Sequence, residues 1–305
     1  MERPVVFGNH DHLVGVVTEA EHPAGNSEVA VILMTAGMLH HVGPFRLHVD
    51  LARQLASKGI RSLRFDLSGI GESLGVGSAG SSIDRAAAET GAAMDWMREN
   101  GGSRKFILFG LCSGADDSMH TAVNDDRVHG FVAIDGCGYR TKRFHWYRLI
   151  RHYVPRLLTP KKWFQFVKRI LSANETPPST LQAGSDVREF PDREEAVKQF
   201  QTLADRQTRM HFVYTGGISE YYNYQQQFFE MLPEVDWQQT ASTTFFPHMD
   251  HVALLCEDRN QLVSHVVSEI ASIVESITNS AEATDKPAGM PSLNSWPVIS
   301  PNATV

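Results

Sequence analysis

A series of short, predominantly apolar runs, at residues 29–34, 62–65, 106–109, 130–134 and 210–214, constrains the fold of this chain most. Runs of this length and character suit strands of a parallel sheet whose two faces are both covered. The stretches between them have helical periodicity: residues 46–58 place Leu47, Leu51 and Leu55 on one face, and residues 82–99 and 116–123 behave similarly. Residues 243–246 supply a last strand, and residues 259–278, with Leu262, Val266, Ile270 and Ile273, a closing helix. Strand and helix in alternation predict a doubly wound α/β domain with a mostly parallel sheet. An antiparallel start is expected at residues 5–7 and 13–18, joined through the polar turn Gly8-Asn9-His10-Asp11-His12.

The alternation stops between residues 138 and 205. From Gly138 to Asn174 there are ten Lys or Arg and no acid, interleaved with Phe144, Trp146, Tyr147, Tyr153, Trp163, Phe164 and Phe166. This segment reads as a helical lid insertion, leaving residues 1–137 and 206–278 as the core. Its aromatics either pack on that core beneath a merely solvated basic face, or its charge recruits an anionic or carrier-bound substrate or a membrane surface. Residues 279–305, rich in Ser, Pro, Ala and Asn without periodicity, read as a disordered tail.

Composition narrows the partners. With 305 residues, 42% of them hydrophobic, the chain can bury a large core. A formal net charge of -7 disfavours nucleic acid, whose phosphates need a clustered basic surface. The cysteines Cys112, Cys137 and Cys256 lack paired or Cys-x-x-Cys spacing, so reduced thiols in the cytoplasm are expected, with neither disulfides nor a metal site. No stretch reaches the roughly 18 apolar residues of a membrane span, and the N-terminus lacks the basic and apolar regions of a signal peptide. The expected partner is a small molecule; no cofactor is implied, and the oligomeric state is not readable.

The run 106–109 passes through Gly110-Leu111-Cys112-Ser113-Gly114 into a helical stretch, the context of a nucleophile elbow. A strand-to-helix reversal this sharp strains its central residue and brings the flanking backbone close to its neighbours, so the positions two before and two after favour glycine. Gly110 and Gly114 meet this requirement about Cys112, whereas centring on Ser113 would place Leu111 and Ala115 there. At the head of a helix a thiol gains acidity from the macrodipole and the orphan N–H groups. A base is expected after the last strand, in Phe246-Pro247-His248-Met249-Asp250-His251. His251, preceding the apolar Val252-Ala253-Leu254-Leu255, is the preferred base, with His248 as a loop residue or substrate contact.

An acid should orient the imidazole. The loop after the penultimate strand, Thr215-Gly216-Gly217-Ile218-Ser219-Glu220, offers only Glu220; Asp135, at the end of the strand before the insertion, is the alternative. Oxyanion donors are expected from the Ser113 N–H and from Met38 N–H in the loop Thr35-Ala36-Gly37-Met38. His41, close behind, is a candidate pocket residue.

These motifs resemble the α/β-hydrolases, and more closely the hydrolases associated with bacterial exosortase and exopolysaccharide systems. The resemblance rests on Gly43-Pro44 with Arg46, on Leu51-Ala52-Arg53-Gln54-Leu55-Ala56 with Gly59, on the segment Leu63-Arg64-Phe65-Asp66-Leu67-Ser68-Gly69-Ile70-Gly71-Glu72-Ser73, on the elbow and on Asp250-His251. It spans residues 28–137 and, more loosely, 210–275. The Gly-x-Cys-x-Gly elbow is also similar to that of the dienelactone hydrolases, which implies a cysteine nucleophile acting on esters or lactones.

Three functions follow as expectations. The first is a cysteine hydrolase or acyltransferase acting on an ester, thioester or lactone carbonyl through an acyl-thioester. The second, motivated by the lack of Asp in the acid loop, is a non-catalytic binding or scaffold protein with a decayed triad. The third is a lyase or cyclase using the same pocket.

Overall fold

The computed structural model of the chain describes residues 1–22, 28–76, 80–157 and 191–284. The expected tail beyond Thr284 and the stretch of the insertion holding Trp163, Phe164 and Phe166 lie outside the described residues. Within them the chain builds an eight-stranded sheet: β1 (Glu2–Phe7), β2 (Leu13–Thr18), β3 (Val29–Met34), β4 (Arg61–Phe65), β5 (Lys105–Leu111), β6 (Val128–Ile134), β7 (Arg209–Thr215) and β8 (Ala241–Phe246). Their spatial order is β1-β2-β4-β3-β5-β6-β7-β8. β1 and β2 are antiparallel to each other, as expected of two runs joined through the polar turn, and β2 is also antiparallel to β4. Every later pairing is parallel.

Burial follows the composition of each strand. All six residues of β3 are buried, and β5, β6 and β7 each leave one partly exposed, whereas the polar β8 closes the edge with intermediate positions. The sheet separates two apolar layers. On one face α1 (Leu47–Ser57) and α7 (Cys256–Thr284) contribute Leu51, Leu55, Val266 and Ile270 to a single cluster. On the other, α2 (Ser82–Gly101) and α3 (Ser113–Asn124) bring Met94, Met97 and Met119 against Phe106, Phe131 and Phe212. α2 begins where the Ser81 side chain accepts the Asp84 N–H and ends at Gly102 in the left-handed region.

Two helices among the described residues come from the segment expected to form a lid. α4 (Lys142–Leu157) follows β6, and α5 (Arg193–Asp205), capped by the Asp192 side chain, precedes β7. α5 buries Ala196, Phe200, Leu203 and Ala204 in the same cluster as Phe212, so this part of residues 138–205 belongs to the layer against the sheet. Burying Phe200 alone favours that placement by roughly 1.5–3 kcal/mol. Two basic residues at the foot of α4 have partners: Arg143 pairs with Glu230 at 2.7 Å, and Arg140 donates to the Glu220 carbonyl at 2.9 Å. The short α6 (Gln227–Met231) completes this side. Among the described residues no helix is long and apolar enough to cross a membrane.

Candidate active site

The strand order reverses direction between β3 and β5, and parallel sheets leave a crevice beyond the carboxyl ends of strands at such a point. Cys112 sits there, directly after β5, with φ 58° and ψ −121°. Such a backbone costs on the order of 1–3 kcal/mol and persists only where its surroundings enforce it. The glycines show how. A Cβ on Gly110 would lie 1.9 Å from the Gly114 carbonyl oxygen, and one on Gly114 would lie 2.5 Å from that of Thr35. The elbow is therefore centred on Cys112, with Ser113 as the first residue of α3.

Register brings the other groups to the same end of the sheet. Ile134 pairs with Leu111 on one side and Val213 on the other, so the residue after β6, Asp135, stands between Cys112 and Tyr214, within reach of Thr215. Asp135 is fully buried and has φ 51°. One of its carboxylate oxygens accepts the Thr215 N–H at 2.7 Å and the other accepts the Thr215 hydroxyl at 2.7 Å. The second oxygen also meets His251 Nδ1 at 2.7 Å. Behind it, the Tyr221 hydroxyl donates to the Asp135 carbonyl at 3.2 Å. His251 lies in the loop after β8, and its ring also hydrogen-bonds Cys112. With Nδ1 engaged by the carboxylate, Nε2 is the nitrogen left for the sulfur. The Asp135 hydrogen bond above all, and then the one with Cys112, raises the imidazole pKa from 6.5 to about 10 despite the opposing effect of burial.

The carboxylate on the imidazole is thus Asp135 and not Glu220. Glu220 is exposed, and its backbone carbonyl is taken by Arg140. The reason lies in the Gly216-Gly217 doublet at the end of β7. A Cβ on Gly216 would lie 2.2 Å from the Pro247 carbonyl oxygen, and one on Gly217 would lie 2.3 Å from the His251 nitrogen. The histidine loop packs directly on this backbone and leaves no room there for an acidic side chain.

The remaining sequence candidates take different places. Met38 stands third in a turn closed by Leu39 N–H on the Ala36 carbonyl at 3.0 Å, a bond that leaves its own N–H out. The Ser113 hydroxyl accepts the Gly37 N–H at 2.6 Å, fastening this turn to the head of α3. His41 is tied to Asp66, through Nδ1 at 2.8 Å and through its backbone N–H at 2.5 Å. Burial opposes ionisation of Asp66, but the hydrogen bonds from His41 and from Glu72 N–H outweigh it and hold the carboxyl below its ordinary range. His248 is exposed, whereas Asp250 accepts Val252 and Leu254 N–H groups and shapes the loop. Thr215 and Tyr221, which hold Asp135 in place, carry no sequence signal of that role; the Gly216-Gly217 doublet was the visible sign that the acid had to come from elsewhere.

No protein-family model matches the chain. No curated protein matches it either. Solved structures do. A proline iminopeptidase of Mycobacterium smegmatis superposes with a TM-score of 0.57 at 13% identity, covering 91% of this chain and 100% of its own. An esterase of Pyrococcus furiosus gives 0.56 at 15% identity over 88% of this chain and 90% of its own. An α/β-hydrolase of a Penicillium species gives 0.57 at 16% identity over 90% and 99%. At these identities the shared property is the fold, and that fold is the α/β-hydrolase fold.

Proposed function

We propose that this chain of α/β-hydrolase fold is a cysteine hydrolase or acyltransferase acting on an ester, thioester or lactone carbonyl. The observation that carries the reading is the run of contacts from Cys112 to His251 to the buried Asp135, built on a strained elbow. It also removes the motive for a decayed triad, because the imidazole has its carboxylate after all.

In this mechanism His251 Nε2 carries the proton of the cysteine–histidine pair, and the Cys112 thiolate forms a C–S bond with the substrate carbonyl carbon. The carbonyl electron pair moves onto oxygen, where the Ser113 and Met38 N–H groups are the candidate donors. Collapse re-forms the carbonyl and breaks the bond to the leaving alcohol or thiol, which takes its proton from His251. Water, or a second alcohol or amine, then gives a proton to His251 and attacks the thioester. Collapse of that second adduct breaks the C–S bond. Asp135 holds the ring for both transfers and stabilises its charged form. An esterase and an α/β-hydrolase among the solved structures of this fold support carbonyl chemistry at the elbow, and the cysteine step rests on Cys112 and its contacts.

Intact-mass spectrometry with an activated acyl ester tests the reading. The wild type should gain one acyl mass that Cys112→Ala does not, and His251→Ala should acylate at least about 10²-fold more slowly. Equal labelling of wild type and Cys112→Ala would remove the nucleophile. Turnover kept by Cys112→Ala and lost by His251→Ala would favour the lyase or cyclase chemistry.

A further inference from the structure

A second cluster of ligating side chains lies away from the elbow, at the other end of β7. His211 is the third residue of that strand, four residues and about 13 Å of extended chain before Thr215. It is 3% exposed and faces α7. Its Nε2 stands 3.0 Å from Nε2 of His265, and the two rings are tilted by 58° with centroids 5.0 Å apart. Glu269 follows His265 by one helical turn, on the same face of α7, and its carboxylate comes within 3.4 Å of the His211 ring. One ligand atom from each of the three residues falls within 4.8 Å of the others.

The orientation of His211 is fixed. Its Nδ1 is 2.7 Å from the Ser242 hydroxyl of β8 and faces Glu269 as well, so both neighbours favour a proton on Nδ1. That leaves a lone pair on Nε2, aimed at the Nε2 of His265. An oxygen acceptor holding the distal nitrogen of an imidazole is the usual support of a metal ligand, and here the Ser242 hydroxyl and the Glu269 carboxylate are in that place. Two imidazole nitrogens bound to one tetrahedral ion at about 2.0–2.1 Å stand about 3.4 Å apart, a few tenths of an ångström more than observed. Glu269, half-buried and here on the Nδ1 side of His211, reaches the third position by rotating its side chain, and an open cleft of about 310 Å³ lined by His211, Ser242, Glu269, Ser272 and Ser276 leaves the fourth to water.

We infer that His211, His265 and Glu269 form a binding site for a divalent transition-metal ion of the zinc type, which fastens α7 to β7. Two imidazoles with one carboxylate suit Zn²⁺, Ni²⁺, Cu²⁺ or Fe²⁺, and the nitrogen share disfavours Mg²⁺ and Ca²⁺. Binding replaces the hydrogen bond between the two Nε2 atoms: the His265 proton moves to its Nδ1, and both rings bind as neutral imidazoles. The site is independent of the proposed acyl chemistry, because it lies on another part of β7 and shares no residue with it.

The test is calorimetric titration of chelator-treated full-length protein with Zn²⁺, alongside its thermal melting and its Co²⁺ absorption spectrum. Expected are one Zn²⁺ per chain, a raised melting temperature, no response to Mg²⁺, and a Co²⁺ spectrum of nitrogen and oxygen ligation without a thiolate charge-transfer band. His265→Ala and Glu269→Gln, both on the partly exposed face of α7, should fold and bind Zn²⁺ at least about 10–100-fold more weakly, whereas Cys112→Ser should bind as the wild type does. Absence of Zn²⁺ binding, or binding that survives His265→Ala and disappears in Cys112→Ser, would overturn the site and leave a hydrogen-bonded histidine pair.

Discussion

At the scale of single residues, the protonation of His251 decides what the site can do. An imidazole held at a pKa of about 10 by Asp135 and Cys112 keeps its proton through the neutral range, and the proposed mechanism then has the sulfur beside it attack as the thiolate. Activity should therefore persist to alkaline pH and fall as the imidazolium is lost near pH 10. Asp135→Asn weakens the hydrogen bond that contributes most to that shift and removes the charge that adds to it. The alkaline limb of the pH profile should move down, and kcat/KM should drop by about 10²–10⁴-fold. Glu220→Gln should leave both unchanged, and a variant of Glu220 with the profile expected of Asp135 would reverse the assignment. Cys112 was legible in the sequence because glycine spacing is a local steric requirement. Asp135 was legible only as an alternative, because its closeness to His251 comes from strand register across 116 residues of chain.

At the scale of elements, each strand the sequence proposed is present, with ends that moved by no more than three residues: residues 5–7 became Glu2–Phe7 and residues 243–246 became Ala241–Phe246. Apolar runs and periodic faces report burial directly, which is why they were readable. The segment before β7 was not, because α5 alternates charged residues with the few apolar ones it buries, and a neighbouring basic stretch drew it into the presumed lid. The loop after β7 also works as a unit, since Gly217 seats the His251 backbone while its N–H donates to the Thr215 hydroxyl at 3.2 Å. Gly217→Ala should displace the histidine loop. A shift on the order of 1 Å at a proton-transfer group costs about 10²-fold in rate, and overpacking of this kind costs about 1–3 kcal/mol in stability. Comparing kcat with the urea midpoint separates the two, and a fully active Gly217→Ala would refute the packing argument.

At the scale of the whole molecule, one sheet with helices on both faces commits charge-bearing groups to its interior, and the cost appears in the pH dependence of folding. His48, from α1, is fully buried between Gly43 and Phe109, with its ring 5.6 Å from the phenyl ring, and neither nitrogen has a partner among the described residues. Burial, and next the Arg64 charge, lower its pKa from 6.5 to about 4. Because the folded value lies below the unfolded one, the unfolded chain takes up this proton first as pH falls below 6.5. Stability is then lost at about 1.4 kcal/mol per pH unit, reaching about 3 kcal/mol near pH 4. His251 acts in the opposite direction: its folded value lies above the unfolded one, so its contribution is complete below pH 6.5 and is lost as pH rises towards 10. The fold should accordingly be most stable near neutrality. The carboxylates held low by arginine, such as Glu2 and Glu19, begin to matter only below about pH 4.5, which leaves the interval from 6.5 to 5 to the buried histidines. His48→Leu should therefore flatten the loss of stability in that interval, measured by urea unfolding at a series of pH values, while leaving the slope above pH 8 as it is in the wild type. A variant that loses stability between pH 6.5 and 5 as steeply as the wild type would show that the ring is hydrated or partnered in solution and that the penalty lies elsewhere in the core.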